Sequence, residues 1–523
     1  MNALTSEEMR TADLRTVEDV GIPPLVLMES AGRAVADIAR DFVDDLDDDP
    51  VRIAIVAGPG NNGADALVAA RNLMQLGFEP DVYLAAKAKD CNELCRTQLE
   101  IIEALGASVS VLREQSPEFF RSGLRSAALI IDGLLGTGTS GALREPYRAW
   151  VNEINIASRD VIAVDIPTGI DASSGMVPGP AVSADATVTM AAPKVGMLLY
   201  PAASYVGELW VAHIGIPPSI LADVGGRYHV MAKQQFFYWL PHRSPLADKR
   251  TAGDVVIIGG SAQYAGAPVL TALGAQHAGA GYVTVACPAA AASAVGHHLL
   301  EQIVAPWPDT SDVETVVGAL LEITRHAGTV VIGPGLGREE TTQRIVRRFI
   351  EQTTRPLVVD ADGLFAIAGH TDVLRGKKAV LTPHDGEFTR LLGEHSQDAI
   401  ANRMKAADDF AALLDVTLLL KGPRSIIATK EASYVNLTGN ELLATAGTGD
   451  VLSGMIAAVM AAGCSARQSA AIAAYWHGIA ADYLLHENKH SIVASDIARS
   501  LQDALHWLNE REEDDDGYLT RVV

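Results

Sequence analysis

The sequence predicts an α/β protein of two domains, each a parallel sheet covered by helices. Three observations carry this. The chain has 523 residues, beyond the ~250–300 that a single core usually sustains. Short continuous runs of Val, Ile and Ala alternate with helix-like stretches, which is how strands buried on both faces read. That alternation stops and restarts across "GGRYHVMAKQQFFYWLPHRSPLADKRTAG" (225–253), rich in aromatic, proline and basic residues. This segment is expected to be a connection with little regular structure. The boundary falls near residue 228, giving domains 1–228 and 229–523.

In the first half the expected strands are "VRIAIVAG", "DVYLAA", "ALIIDGLLGTG", "DVIAVDIPTG" and "ATVTMAAPK". In the second they are "DVVIIGGS", "GYVTVACP", "TVVIGPGLG", "PLVVDADG", "AVLTPHDGEF", "TLLLKGP", "SIIAT" and "SYVNL". Ala-rich helical stretches follow Gly449. They fit packing across the subunit interface of a homo-oligomer, or packing within the domain.

The formal net charge of −23 argues against a nucleic-acid partner, because neutralising phosphates needs basic patches. Much of the excess lies in "DFVDDLDDDP" (41–50) and "EREEDDD" (510–516), expected to be solvated loop or tail. No apolar run reaches the ~18 residues of a membrane helix. The N-terminus lacks a basic region followed by an apolar stretch, so no secretory signal is expected. Cys91, Cys95, Cys287 and Cys464 suggest no disulfide framework and read as reduced thiols of a cytoplasmic protein.

The run ending at Gly58, Gly60 and Gly63 has the GxGxxG spacing of a dinucleotide-binding turn. In open parallel sheets ligands sit beyond the carboxyl ends of the strands. There "GPGNNGAD", "DGLLGTG" and "DIPTG" are expected to converge on one crevice. Amides of "GTGTSG" and of the helix after Gly63 suit a phosphate. Asn62, Asp132 and Thr168 offer hard oxygens for a monovalent or divalent cation. A dehydrogenase would want an acid at the end of the second strand for the ribose. Asp81 has roughly that spacing but precedes "VYLAA", so it belongs at the wrong end. A Gly-rich turn without redox chemistry stays open beside the dehydrogenase reading.

"LMESAGRAVA" (27–36), "GPGNNGAD", "DGLLGTG" and "VDIPTGID", in that order, resemble the N-terminal domain of the NAD(P)HX epimerases over roughly residues 1–215. The resemblance implies a Rossmann-like domain that interconverts the R and S epimers of NADH or NADPH hydrated on the nicotinamide ring. It implies that Asn61, Asn62, Gly63, Ala64 and Asp65, with Gly136, Thr137, Gly138, Thr139, Ser140, Gly141 and Ala142, line the substrate. Asn62, Asp132 and Thr168 would coordinate K+, and Tyr147 and Asp165 would contact the hydrate. Asp165, a carboxylate at a strand end, would shuttle a proton while a ring C–O or C–N bond opens and recloses. The other reading is that Asp165 merely caps the turn "DIPTG". Where the family has "NNGGDG", this chain has Ala64 and Ala66. Two methyls weaken the site if glycine is needed there for positive φ or close ligand approach.

In the second half, "ATAGTGDVLSGMIAAVMAAG" (444–463) sets Gly447 and Gly449 before a long apolar helix, so that amides point at an anion. Asp450 is either an N-cap or a base beside a γ-phosphate, where it would deprotonate an attacking hydroxyl. No GxxxxGK[ST] is present, which excludes a P-loop enzyme. The "GTGD" helix resembles that of the ribokinase-like fold, an α/β/α domain. "VVIIGGS" with "YAGAPVL", "VIGPGLG", "VVDADGL", "LTPHDGEFTRLLG", "LLLKGPRSIIA" and "AGTGDVLSG" together resemble the ADP- or ATP-dependent NAD(P)HX dehydratases over residues 235–505. That family spends a nucleotide to remove water from the S epimer. Phosphorylating the hydroxyl makes it a good leaving group as the ring nitrogen pushes.

The resemblance implies that Lys421, Gly422, Pro423, Arg424, Ser425 and Gly449 contact the nucleotide. Ala267, Gly335, His384 and Asp450 would face the hydrate, with Asp450 the base. His384 also reads as an ordinary strand-end histidine. Asp385 replaces the proline of the family's "PHPGE", which loosens the turn by freeing φ. Mg2+ would accompany ADP or ATP, with Asp360 and Asp362 as nearby candidates. The expected whole is a bifunctional cytoplasmic repair enzyme acting on NADHX and NADPHX, with no membrane partner. The alternative is a ribokinase-like vitamin-precursor kinase carrying a non-catalytic ligand-binding module.

Overall fold

The structure, a computed structural model, describes residues 1–44, 50–139, 141–393, 396, 402–511 and 517–522. The acidic stretches 45–49 and 512–516, expected to be solvated, lie outside the described residues, as does Ser140. The chain divides into two compact units, with the break after Tyr228.

The first unit's parallel strands are β1 (Arg52–Ala57), β2 (Glu79–Leu84), β3 (Ser108–Val111), β4 (Leu129–Gly133), β5 (Asp160–Val164), β6 (Ala186–Met190) and β7 (Glu208–Ala212). In space they run β7-β6-β5-β4-β1-β2-β3. The chain builds outward from β1 through β3, then returns to the other side of β1 with β4. That reversal opens a crevice at the carboxyl ends of β1 and β4. Nearly continuous burial of β1, β4 and β6 accounts for their apolar runs. Helix α1 (Ser6–Arg15), closed by a Thr5–Glu8 capping box, and helix α2 (Pro24–Val43) lie toward the crevice and the sheet.

Two expectations change here. Residues 517–522 belong to the first unit, where Leu519–Arg521 pairs antiparallel with Trp210–Ala212 of β7. The second unit therefore ends at Arg511, whereas the sequence reading ran it to 523. The stretch expected to lack regular structure contains a strand at Tyr228–Val230 and a helix at Lys233–Trp239, whose Phe236 is fully buried. Of its consecutive aromatics Phe236 enters the core, Phe237 and Trp239 pack partly against it, and Tyr238 is exposed.

The second unit's strands are β8 (Asp254–Ile258), β9 (Tyr282–Pro288), β10 (Ile303–Trp307), β11 (Thr329–Ile332), β12 (Leu357–Val359), β13 (Ala379–Leu381), β14 (Thr417–Leu420), β15 (Ile426–Ala428) and β16 (Ser433–Val435). Their order is β16-β15-β14-β13-β12-β11-β8-β9-β10, parallel from β14 to β10 with β15 and β16 antiparallel. The reversal between β8 and β11 marks the crevice.

Helix α3 (Asn61–Gln75) follows β1 in the first unit. In the second, α4 (Gly266–His277) packs on α5 (Thr448–Ala461). Gly274 and Gly454 permit this approach: a Cβ on either would lie 2.2 or 2.0 Å from a facing carbonyl oxygen. The Ala-rich α5 and α6 (Ala466–His486) are buried within this unit's own core. No helix among the described residues is long and apolar enough to cross a membrane, and all four cysteines are free thiols.

Candidate active sites

In the first unit a cleft of about 780 Å³ opens at the β1/β4 reversal. Asn61, Asn62 and Asp65 of α3 reach it, with Gly136, Thr137, Gly138 and Thr139 after β4 and Asp165 after β5. Gly63 and Ala64 are buried under the helix instead, and Gly141, Ala142 and Tyr147 are outside the cleft lining. Tyr147 stacks edge-on against Trp150, centroids 5.2 Å apart. Ala64 and Ala66 are fully buried in the apolar core, and neither has positive φ. The two extra methyls therefore belong to the core and not to the cleft lining. Asp81 sits near the start of β2 in an ion pair with Arg52, 2.6 Å, away from the strand's carboxyl end.

Asp165 has φ +63, a left-handed conformation that asparagine and aspartate adopt more readily than most residues. It does not cap "DIPTG". The amide of Thr168 donates instead to Asp132 Oδ2, 2.9 Å. Asp165 Oδ1 accepts from the Met190 amide (3.1 Å), from Thr189 Oγ1 (3.2 Å) and from Lys194 Nζ. Lys194 is fully buried, and the sequence reading assigned it no role. Asp13, on α1, also lines the cleft. Burial pushes Asp13 up to about 6, with Lys194 opposing and Asp165 adding to the rise. Burial raises Asp65 well above the ordinary carboxylate value, Asp165 and Asp13 adding to it against Lys194.

Asp132 is fully buried, accepting also from the Leu134 amide (3.1 Å) and Thr168 Oγ1 (2.9 Å). Burial pushes it up to about 6, against the hydrogen bonds from Thr168 and Leu134. Asn62 is 9% exposed, and its Nδ2 has no hydrogen-bond partner among the described residues. Rotating that amide offers its oxygen instead. Asp132, Thr168 and Asn62 supply a carboxylate, a hydroxyl and an amide oxygen, donors of the kind a hard cation takes, and the Asn62 amide is the one of the three with an unpaired atom.

In the second unit the N-cap of α5 is Gly447, at φ +92, with no side chain capping the helix. Asp450 is the third helical residue, so it is not the N-cap. Glycine suits Gly447 because the left-handed backbone disfavours a Cβ, and one there would lie 2.5 Å from Leu270 Cδ1. Leu270 lies one turn from Ala267 on α4, and Ala267 Cβ would be 3.2 Å from a Cβ on Gly335. Ala267, Gly335 and the first turn of α5 thus border one another.

Lys421 Nζ pairs with Asp360 Oδ1 at 3.0 Å and would be 3.2 Å from a Cβ on Gly449. Ser453 Oγ donates to the other Asp360 oxygen, 2.5 Å. Burial alone lowers the Lys421 ammonium; the charges of Asp360, Glu387 and Asp450 more than reverse this and raise it. Burial pushes Asp450 up to about 7, helped by Asp360 and opposed by Lys421.

His384 caps the helix Asp385–Leu392, its Nδ1 accepting from the Gly386 and Glu387 amides at 3.0 and 3.4 Å. Its side chain is 62% exposed. An ordinary structural role is thus present, here as a helix cap, and Nε2 lies 3.6 Å from Glu387 Oε2. Asp385 does not loosen this turn. It begins the helix, and its carboxylate accepts from Arg403 Nε, 2.9 Å, while Arg403 also donates to Lys421 O, 2.6 Å. Gly422, Pro423, Arg424 and Ser425 form the turn after β14, with Arg424 Nη1 donating to Leu437 O, 3.0 Å. The Asp362 oxygens accept from the Gly337 amide and from Arg338. Asp360 and Asp362 are therefore both engaged, and no group of three or more His, Cys, Asp or Glu side chains placed to hold a metal occurs among the described residues. They do not form a resident divalent-metal cage.

His477, deep in α6, was not legible as part of this site. Its Nε2 lies 3.0 Å from Thr448 O in the first turn of α5.

Comparison with known proteins gives two family matches. Residues 24–196 match the YjeF-related protein N-terminus, and residues 255–503 match NAD(P)H-hydrate dehydratase. The bifunctional NAD(P)H-hydrate repair enzyme Nnr of Salinibacter ruber is 37% identical over 527 residues, covering 94% of each chain. That of Moorella thermoacetica is 37% identical over 522 residues, covering 98% of each. A solved ADP/ATP-dependent NAD(P)H-hydrate dehydratase from Bacillus subtilis, co-crystallized with ATP/Mg2+, is 29% identical with a TM-score of 0.48. It covers 54% of this chain and 98% of its own.

Proposed function

The chain belongs to the bifunctional NAD(P)H-hydrate repair enzymes, and on that premise we propose which residues of each unit do the work. The first unit epimerises the hydrate in the cleft beneath α1. Asn61, Asn62, Asp65 and the Gly136–Thr139 turn hold the dinucleotide, and Asp165 moves the proton at the hydroxyl-bearing carbon. The observation that carries this is the placement of Asp165 on the cleft wall with its carboxylate fixed through one oxygen only. Asn62, Asp132 and Thr168 would hold K+, which when bound would supply positive charge to the site.

The second unit dehydrates the S epimer at the expense of ADP or ATP. The uncapped amides of the first turn of α5 receive the phosphates, and Lys421 adds a fixed positive charge. Asp450 takes the proton of the substrate hydroxyl as it attacks the terminal phosphoryl group. Phosphate then leaves with the C–O bonding pair as the ring nitrogen pushes, and the resulting cation loses a proton from the adjacent ring carbon, whose C–H pair becomes the restored double bond. Ala267, Gly335 and His384 border the hydrate. Mg2+ would arrive as the counterion of the nucleotide, held through water.

Asp165→Ala tests the division of labour. With nucleotide present, the S epimer is expected to be consumed at the wild-type rate while the R epimer persists, read by chromatographic resolution of the two. Equal consumption of both would remove Asp165 from epimerisation.

A further inference from the structure

Resting on the epimerase reading of the first unit, we propose that Lys194 is a positioning residue that keeps Asp165 a carboxylate, so that epimerisation proceeds by opening the ring C–N bond and not by expelling water. Lys194 is fully buried, and its ammonium has three acceptors: Asp165 Oδ1, Thr189 Oγ1 at 2.8 Å and Met190 O at 3.0 Å. An ammonium has three protons to donate, and all are used. Its nitrogen holds no lone pair for a carbonyl, so Lys194 is not a nucleophile.

The three bonds to Asp165 all fall on Oδ1, which leaves Oδ2 for the cleft. The charged groups facing Asp165 are Lys194 after β6, Asp65 from α3 and Asp13 from α1, with Arg10 and Glu18 further along the cleft wall. Lys194 is the cation in direct contact with it. A buried ammonium requires an ionised partner, and the carboxylate that Lys194 Nζ touches is Asp165.

The two routes to inversion ask for opposite protonation states. Expelling the hydroxyl needs an acid to protonate the departing oxygen; opening the ring needs a base. With Asp165 held ionised, Oδ2 takes the hydroxyl proton and the O–H pair becomes the second C–O bond. The C–N bond breaks with its pair going to the ring nitrogen, which then receives the proton from Asp165. The product is an open-chain aldehyde. Rotation about the adjoining C–C single bond presents the other carbonyl face, and reclosure returns every proton and electron pair. Nothing is consumed.

The test incubates the pure R epimer with the full wild-type chain in ¹⁸O-labelled water, without nucleotide, and weighs the S product at early times. Retention of the original oxygen is expected; one solvent oxygen per inversion overturns the proposal. A wild-type chain that interconverts nothing refutes the epimerase reading itself, which is a different outcome. Lys194→Met is expected to lower epimerase kcat/KM on the order of 100-fold and to move the acid limb of its pH profile upward. A short alkylammonium is expected to restore rate to Lys194→Ala. An unmoved acid limb, or a borohydride-trapped adduct on Lys194, overturns it. Should both variants fail to fold, Thr189→Val, which removes one acceptor, is expected to shift the same limb upward by less, and no shift there overturns the proposal.

Discussion

Lys421 and Asp360 form an ion pair at 3.0 Å in which the carboxylate is 2% exposed and the ammonium side chain 21%. The pair lies under the first turn of α5, through Ser453 and Gly449, so one contact serves both the fold and the turn proposed to receive the phosphates. Removing one partner of a buried pair leaves an uncompensated charge, at a cost of about 3–5 kcal/mol. Lys421→Met is therefore expected to destabilise the second unit by that order and to weaken nucleotide binding. Adding Asp360→Asn is expected to recover stability but not affinity. Denaturant unfolding and nucleotide titration of the full-length wild type and the two variants check this.

His477 acts on the same turn from behind. Burial pushes it down to about 4, with the Thr448 carbonyl opposing and the charge of Lys421 adding to the fall. Its folded-state value is below the unfolded one of ~6.5, so the stability it contributes is complete above ~6.5 and is lost as pH falls through about 4. The loss is about 3 kcal/mol across that window. His477→Gln can still donate to Thr448 O but does not titrate. Its unfolding midpoint is expected to change less than the wild type's between pH 7 and pH 4.5.

The fold was legible where strands are buried on both faces, since β1, β4, β8 and β11 read as unbroken apolar runs. The turns carrying ligand chemistry follow such strands, and that placed Asn62, Asp132, Asp165 and Gly449 correctly at strand or helix ends. Partners fixed by long-range packing were not legible. Leu519–Arg521 pairs with β7 across more than 300 residues, and no local pattern reports it. His477 is hidden in an Ala-rich helix. Lys194 left a faint signal: a lysine closing a turn directly after the fully buried strand β6 must find a buried acceptor, and Asp165 is that acceptor.

The buried Asp132 gives a third expectation. Epimerisation by the wild type is expected to rise with added K+, and Asp132→Asn is expected to lose most of that response along with most of its rate. Its dehydratase rate on the S epimer should be unchanged. Rates with K+ replaced by a bulky organic cation check it.

Dehydration is expected to depend on pH, with Asp450 as the base. Burial and the neighbouring Asp360 hold it at about 7, and a base works only when ionised, so dehydratase kcat/KM is expected to fall as pH drops below neutrality. For the same reason its ionisation opposes folding: the raised value contributes stability at low pH that is lost as pH rises through about 7. Asp450→Asn is accordingly expected to raise the unfolding temperature at pH 8 relative to the wild type, seen by calorimetry.

The most direct measurement is nucleotide-dependent recovery of the reduced-nicotinamide absorbance from the S epimer, comparing wild type with Asp450→Asn at matched nucleotide occupancy. The account predicts recovery by the wild type and a loss of several orders of magnitude in the variant, which still binds nucleotide. A variant that restores the cofactor at the wild-type rate would contradict it.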